Sequence, residues 1–225
     1  MPEGLVVGLV GAYGYLVGSI PTAYLVGRWA KKLDLRQLGS GNVGGSNVAA
    51  HVGKGYFILV VFVDILVKGT MPIVLARVLD LGLGYQALVG LLAVAGHNWS
   101  LYLRFVGGRG VGTAAGVLLA LAPMEFVVGV TVAGLGWLLF RSAAVWVGIA
   151  YVLLPLWAAV LGEPLEVILF CLALVVLLAL KRLDANRLKA PEGVPWHLLA
   201  LRRLVLDRDV STKEEWTRRS SSEVE

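Results

Sequence analysis

The sequence predicts an all-α, polytopic membrane protein with about seven transmembrane helices. Hydrophobic residues make up 58% of its 225 residues and charged residues only 16%, and the mean hydropathy is +0.79. These values exclude an ordinary soluble domain. Two further observations support the class: apolar stretches that could cross a bilayer, and basic residues concentrated in alternate connecting segments.

The apolar stretches predict the helices in order, since about 20 mostly apolar residues cross the hydrocarbon of a bilayer. The third and fourth are short, so we expect them to end in backbone lined by other helices. The first lacks the basic start and cleavage site of a signal peptide, so we expect it to be retained. The stretches run from Gly4 to Trp29, Tyr56 to Val78, Leu81 to Ala95, Val111 to Ala122, Phe126 to Phe140, Ala143 to Leu161 and Leu165 to Leu180.

Three prolines refine these elements. Pro21 falls inside the first stretch and predicts a kink there. Pro123 predicts the start of a new helix after a tight turn, and Pro155 predicts a bend in the sixth helix.

The charges predict the orientation of the helices. With an extracytoplasmic N-terminus, only Lys68 and Arg77 of the 20 basic residues lie outside the inner connecting segments. The positive-inside rule therefore places the C-terminus in the cytoplasm, together with the two glycine-rich segments described next. Acidic residues mark the outer side: Glu3, Asp80, Glu125, Glu163 and Glu166.

The first glycine-rich segment runs from Gly39 to Asn47 and holds only Gly, Ser, Asn and one Val. Glycine adopts backbone angles closed to other residues, so successive N–H groups can turn inward around an anion. A flexible turn is the simpler interpretation of a short Gly-Ser-Gly. The length of this segment and its restriction to these few residue types favour an anion-binding nest.

The second segment, Gly107 to Gly110, contains Arg109 and leads directly into the apolar stretch that begins at Val111. Thr113 lies in the first turn of the predicted helix. Free N–H groups at a helix start and a guanidinium both suit phosphate oxygens. This segment therefore predicts a phosphate site, with an ordinary basic membrane edge as the alternative.

Other chemistries find no support in the sequence. Lys54 follows Gly53, but Val48 stands where a Walker A loop requires glycine, so nucleotide hydrolysis is not predicted. Three scattered histidines and one cysteine predict no metal site. Cys171 lies in the last apolar stretch and predicts no disulfide.

Ionisable residues within the apolar stretches are a further signal. Asp64 and Lys68 are four residues apart and can pair on one helix face. A functional role and a structural tether between helices remain equal alternatives. His97 has no Cys, Asp or Glu close to it in sequence, which favours a hydrogen-bonding role over catalysis.

The tail, residues 189–225, is expected to be an addition to a membrane domain of residues 1–188. Its apolar residues from Trp196 to Leu206 are mixed with Arg202, Arg203 and Arg208. This pattern predicts a basic amphipathic helix that lies on anionic lipid. The end, Ser220 to Glu225, is expected to be disordered.

Four motifs in order resemble those of the acyl-phosphate-dependent bacterial glycerol-3-phosphate acyltransferases. The resemblance spans roughly residues 10–190. The motifs are Gly18-Ser19-Ile20-Pro21, the segment Gly39 to Asn47, Asp64-Ile65-Leu66-Val67-Lys68-Gly69, and Gly96-His97 with Gly107-Gly108-Arg109-Gly110-Val111-Gly112-Thr113.

The resemblance implies a seven-helix enzyme of the bacterial inner membrane that moves an acyl group from acyl phosphate to the 1-hydroxyl of glycerol 3-phosphate. The products are lysophosphatidate and phosphate. Acyl phosphate, glycerol 3-phosphate and membrane lipids are the expected partners, with no cofactor and no nucleic acid. The loops would hold phosphate groups and the helices the acyl tail.

The resemblance also implies roles for individual residues. Ser40, Arg109 and Lys181 are expected to be catalytic, by positioning and neutralising charge without a covalent acyl-enzyme. The residues expected to bind substrate are Gly39, Gly41, Asn42, Gly44, Asn47, His97, Gly107, Gly108, Thr113, Arg182 and Arg187.

The chain also departs from the family pattern. Ala50 stands where an Arg is usual, with His51 as a neighbouring substitute, and Arg109 replaces a Lys. In an ungapped match, Lys181 and Asp184 replace a His and an Asn, although a small shift would instead match Asn186 to that Asn. These departures leave open a degenerate relative that acts on another phosphorylated polyol or lacks catalysis. A small transporter that uses Asp64 and Lys68 is a further alternative.

Overall fold

The computed structural model describes residues 2–184 and 193–218, and in these ranges the chain is helical without β-strands. A π-helical segment, Val63–Thr70, joins α4 to α5. The helices are α1 (Glu3–Ser19), α2 (Thr22–Lys31), α3 (Gly45–His51), α4 (Lys54–Phe62), α5 (Met71–Val78), α6 (Leu83–Asn98), α7 (Val111–Leu121), α8 (Pro123–Phe140), α9 (Ala143–Val160), α10 (Leu165–Leu183), α11 (Trp196–Leu206) and α12 (Lys213–Arg218).

Four segments of the described chain are long and apolar enough to cross a membrane: Glu3–Lys31, Lys54–Val78, Pro123–Phe140 and Ala143–Val160. The predicted all-α membrane class is therefore confirmed, whereas a count of seven crossings stays a prediction. The other three of the seven predicted crossings, α6, α7 and α10, are too short or carry too many charges to be counted among these segments. α6 and α7 have 16 and 11 residues, and α10 carries Glu166, Lys181 and Arg182.

The first predicted helix is broken at Pro21 rather than kinked. α1 ends at Ser19 and α2 begins at Thr22, because Ile20 and Pro21 leave the helical backbone conformation. α1 packs along α6, while α2 packs against α3 and α4. The break therefore lets one apolar stretch serve two parts of the fold. Pro123 starts α8 as predicted, and Pro155 lies inside α9, where a bend stays a prediction.

Several helix ends meet at one pole of the molecule. The Ser100 hydroxyl donates a hydrogen bond to the Ser19 carbonyl over 2.5 Å, which ties the end of α6 to the end of α1. The Trp99 indole N–H donates to Asp184 Oδ2 over 2.7 Å, which ties α6 to the end of α10. This pole carries the predicted site.

α7 packs unusually close to the π-helical segment because glycines face each other there. A Cβ on Gly116 would overlap the Ile65 carbonyl, so only glycine fits. The Thr70 hydroxyl donates to the Gly116 carbonyl over 3.0 Å across this contact. The close approach brings Asp64 against Gly112 at the start of α7, and π-helical turns of this kind are frequent at functional sites.

Candidate active site

The two glycine-rich segments lie side by side, as a shared anion site requires. The Val43 N–H donates a hydrogen bond to the Gly107 carbonyl over 3.2 Å. The Gly108 N–H in turn donates to the His97 carbonyl over 3.1 Å at the end of α6. Backbone groups of both loops and α6 thus form one continuous structure, which we call the loop junction (residues 38–44, 97–98 and 106–110).

Asn47 organises the first loop from beneath. It is 1% exposed, and its amide nitrogen lies within hydrogen-bond distance of the carbonyls of Leu35, Leu38 and Asn42, at 3.0, 2.8 and 3.0 Å. One side chain in α3 therefore contacts three backbone carbonyls in and just before the first loop. Because this amide is used inside the protein, Asn47 shapes the loop.

The first loop turns through left-handed backbone at two glycines, with φ of +59° at Gly39 and +68° at Gly41. L-residues rarely adopt this conformation. Between them, Ser40 Oγ accepts a hydrogen bond from the N–H of Asn42 over 3.3 Å. Gly44 follows in extended backbone and precedes α3.

His51 lies beneath the same loop, next to Ala50 in the chain. Its Nε2 is close to the space that a Cβ on Gly39 would fill. Burial lowers the pKa of His51 below the usual 6.5. The imidazole is therefore neutral near pH 7, unlike the Arg usual in the family motif.

The second loop is close to its neighbours along its whole length. A Cβ on Gly107 would overlap the His97 carbonyl, and a Cβ on Gly108 would overlap His97 Nε2 and lie 2.9 Å from the Val43 carbonyl oxygen. Gly110 has φ of +74° and immediately precedes α7. The loop can therefore pass over α6 only because these side chains are missing.

Two uncharged side chains are buried beneath the second loop. Asn98 and Thr113 are both 0% exposed. Among the described residues, neither the Asn98 amide nor the Thr113 hydroxyl has a hydrogen-bond partner. Buried polar groups without partners are costly, so these atoms are suited to meet a polar ligand or water at the start of α7.

Arg109 links the second loop to the C-terminal part of the chain. Its Nη1 donates to the Lys181 carbonyl over 2.7 Å, and its Nε lies 2.6 Å from Asp207 Oδ1, just beyond α11. The Arg109 side chain is 11% exposed. Two predicted catalytic residues, Arg109 and Lys181, are thus in direct contact.

Lys181 is a buried cation with partners on two helices. Its Nζ lies 3.2 Å from Asp184 Oδ2 and 5.3 Å from the ring centre of Trp99. Asp184 also accepts the indole hydrogen bond of Trp99. Lys181 and Asp184, the two positions near the end of α10 that depart from the family pattern, therefore pair with each other.

Arg182 points in a different direction from Lys181. Its Nη2 donates to the Ala144 carbonyl over 3.0 Å, and its Nη1 donates to the Leu204 carbonyl. It therefore lies between α9 and α11, where it lines a cavity together with Arg109 of the loop junction. The predicted residue Arg187 falls outside the described residues, as do the boundary at 188 and the segment Ser220 to Glu225.

The charges within the apolar stretches lie next to the loop junction. Lys68 Nζ is 2.6 Å from Asp64 Oδ1, as the spacing predicted. His97 Nδ1 lies 3.8 Å from the same carboxylate. His97 has no acidic residue close to it in sequence, yet the fold brings Asp64 to it, because α6 and the π-helical segment meet only in the folded chain.

Sequence reasoning missed Asn98, Trp99 and Asp207 as residues of the site. Asn98 had a signal, since it directly follows His97 in the fourth motif. Asp207 had no such signal, because the sequence pattern indicated that the tail is an addition to the membrane domain. Trp99 contributes through its indole N–H, which donates to Asp184 Oδ2.

Fold and site together define a multi-pass membrane protein with a buried pole of glycine backbone and cations. The chain matches the family model of glycerol-3-phosphate acyltransferase over residues 8–190. The glycerol-3-phosphate acyltransferase 5 of Dehalococcoides mccartyi is 36% identical over 218 residues, which cover 94% of this chain and 93% of that protein.

Two solved structures are similar in fold. Both are crystal structures of PlsY, an integral membrane glycerol 3-phosphate acyltransferase. Its glycerol 3-phosphate form has a TM-score of 0.76 at 29% identity and covers 92% of this chain and 96% of that one. Its lysophosphatidic acid form has a TM-score of 0.72 at 31% identity and covers 79% and 88%. The chain belongs to the glycerol-3-phosphate acyltransferase family, which confirms the resemblance of its motifs.

Proposed function

We propose that this protein transfers the acyl group of acyl phosphate to the 1-hydroxyl of glycerol 3-phosphate, at the inner face of a bacterial plasma membrane. The observation that carries the proposal is the loop junction with Arg109 and Lys181 in contact beside it. Both substrates are anions, and one has an apolar chain. A glycine-lined, cationic pole at the end of apolar helices suits that pair.

The chemistry needs positioning more than activation, because acyl phosphate is already a mixed anhydride. The glycerol hydroxyl oxygen attacks the acyl carbonyl carbon, and the bond from that carbon to the phosphate oxygen breaks. The hydroxyl proton leaves with the phosphate, so lysophosphatidate and hydrogen phosphate are formed. Oriented contact of the two groups supplies much of the rate in such reactions.

Individual residues have different proposed roles in this reaction. Arg109 stabilises the negative charge that develops on the departing phosphate, and Lys181 adds a second buried cation next to it. Ser40 orients a substrate phosphate or hydroxyl at the first loop. Backbone N–H groups of both loops, together with Arg182 and Arg187, hold the remaining phosphate oxygens.

The helices are proposed to cross the membrane seven times, with the N-terminus outside. α1, the continuous α4–α5 element and α6 to α10 form the crossings. The short α7 starts at the loop junction, which therefore lies slightly inside the bilayer.

A labelling experiment tests this orientation. In a Leu201→Cys variant that also carries Cys171→Ala, an impermeant maleimide should label the protein only after the membrane is opened. Labelling of intact cells would contradict the orientation.

The direct test measures product. Purified protein is incubated with palmitoyl phosphate and glycerol 3-phosphate, and lysophosphatidate is followed by mass spectrometry. We expect product with both substrates present and none when either is withheld. Arg109→Ala should lower the rate by roughly a hundredfold, the usual effect of removing a group that stabilises transition-state charge, and Arg104→Ala serves as a matched cation control.

The rival interpretations predict different outcomes. A degenerate relative would fold normally and form no lysophosphatidate, or would acylate another phosphorylated polyol instead. A transporter would move solute into liposomes without an acyl donor. The 2.6 Å contact between Asp64 and Lys68 joins two residues of one helical segment and leaves them as an ion pair, which favours a structural role over a transport relay.

A further inference from the structure

A cavity of about 420 Å³ lies between α9 and α10 and combines two kinds of lining. Arg109 and Arg182 line it as its only charged residues among those described, and aliphatic residues such as Val152 and Val175 line the rest. The volume falls within the range of small-molecule sites. A ligand with an anionic head and an aliphatic tail would match both parts.

A second cavity provides a comparison. It measures about 340 Å³, lies between α7, α8 and α9, and has no charged residue in its described lining. Val111 and Tyr151 line both cavities, and the Tyr151 hydroxyl donates to the Val111 carbonyl over 2.8 Å between them. Since only the first cavity offers cations to a phosphate head, it is the better match for an acyl phosphate.

The first cavity is partly walled by α11, through Leu204 and Val205. This helix lies beyond residue 190, where the match to the family model ends. It is the only helix lining the cavity that lies outside that match, within the described part of the chain. Any selectivity that it confers is therefore specific to chains that carry such a tail.

Polar contacts hold α11 against the cavity. Arg182 donates a hydrogen bond to the Leu204 carbonyl. One of the two cations that line the cavity therefore also holds α11 in place. Arg203 pairs with Asp209 at 2.7 Å and donates to the Leu183 carbonyl over 2.8 Å. Arg203 was expected on a lipid-facing basic surface, yet it is 7% exposed and anchors the helix to α10.

We infer that this cavity receives the acyl chain of acyl phosphate and that Leu204 and Val205 of α11 determine which chain lengths are accepted. The inference rests on the proposed function and assigns a specificity role to the tail. The phosphate end lies at Arg109 and Arg182, and the chain extends along α9 and α10. A bulkier wall residue would shorten the space available to the chain.

The test compares decanoyl and palmitoyl phosphate as donors. Leu204→Trp should lower kcat/KM for palmitoyl phosphate roughly tenfold relative to decanoyl phosphate, the scale of discrimination by apolar pockets. Leu204→Ala should shift the preference the opposite way, which keeps the test decisive if the Trp variant fails to fold. Leu201→Trp is the matched control, since Leu201 is on the same helix, is 58% exposed and does not line the cavity.

A second control fills the other cavity. Gly134 lines it, and a Cβ there meets no atom within 4 Å, so Gly134→Leu should fold. We expect this variant to keep the parent's chain-length profile. A changed profile in Gly134→Leu with an unchanged one in Leu204→Trp would overturn the inference, because the chain would then lie between α7, α8 and α9.

A binding measurement separates the inference from the proposed function. Decylphosphonate and hexadecylphosphonate mimic the head and tail without reacting, and their effect on Tm is measured. Greater stabilisation of the parent by the longer compound, lost in Leu204→Trp, supports the inference even if no lysophosphatidate forms. Equal profiles for parent and Leu204→Trp would overturn it even if turnover is normal.

Discussion

The two loops are both rich in glycine but need it for different physical reasons. The first loop needs it for conformation, since Gly39 and Gly41 have positive φ and a buried side chain, Asn47, holds the turns. The second needs it mainly for space, since Gly107 and Gly108 pass directly against His97 and Asn98. Glycine content alone therefore does not reveal how a loop will respond to substitution.

The second loop should be the more sensitive to added volume, and this is the largest effect we expect. Gly108→Ala would overlap His97 Nε2 and approach the Val43 carbonyl, so the two loops must separate. A displacement near 1 Å can cost about a hundredfold in rate. Steady-state acyl transfer measures the loss, and Gly55→Ala is the control because its Cβ meets nothing within 4 Å. Equal rates for both variants would contradict the spatial explanation.

In the first loop, we expect the largest loss of stability from a substitution of Asn47, the side chain that supports it. Asn47→Leu removes the amide nitrogen that lies within hydrogen-bond distance of the Leu35, Leu38 and Asn42 carbonyls, which should cost about 2 kcal/mol of unfolding free energy and lower Tm by roughly 4–8 °C. Asn47→Asp should be no better, since a carboxylate cannot donate to carbonyls. A fully stable Asp variant in thermal unfolding would show that the amide nitrogen is not the supporting group.

A finer comparison tests conformation within the first loop. Gly41→Ala forces an L-residue into left-handed backbone, at roughly 1–2 kcal/mol. Gly41→Asn should cost less, because Asn visits this region more readily. Thermal unfolding of the pair measures the difference, and an Ala variant as stable as the Asn variant would argue against a conformational requirement at this position.

The smallest expected effect is a pH dependence from His51. Its pKa is lowered in the folded protein, so below about pH 6.5 the unfolded chain binds a proton that the folded chain does not. Stability should therefore fall as the pH drops from 7 to 5. His51→Gln should flatten this part of the Tm profile, and an unchanged slope would assign the pH dependence to other groups.

Local features of the site were predictable because they depend on neighbouring residues. The glycines of both loops, the start of α7 and the spacing of Asp64 and Lys68 could all be read from short segments. Long-range partners could not. Arg109 and Lys181 are 72 residues apart in the chain, and the contact of His97 with Asp64 depends on how closely α6 approaches the π-helical segment.

The sequence by itself determined the membrane class, the glycine-rich composition of the loops and the family, because these follow from hydropathy and from ordered local motifs. Only the tertiary structure decided which charges meet. It paired Lys181 with Asp184, placed Asp207 on Arg109 and packed α11 against the cavity between α9 and α10. The physical reason is that such contacts are set by the packing of helices distant in sequence, where a shift of one turn moves a side chain by about 5.4 Å.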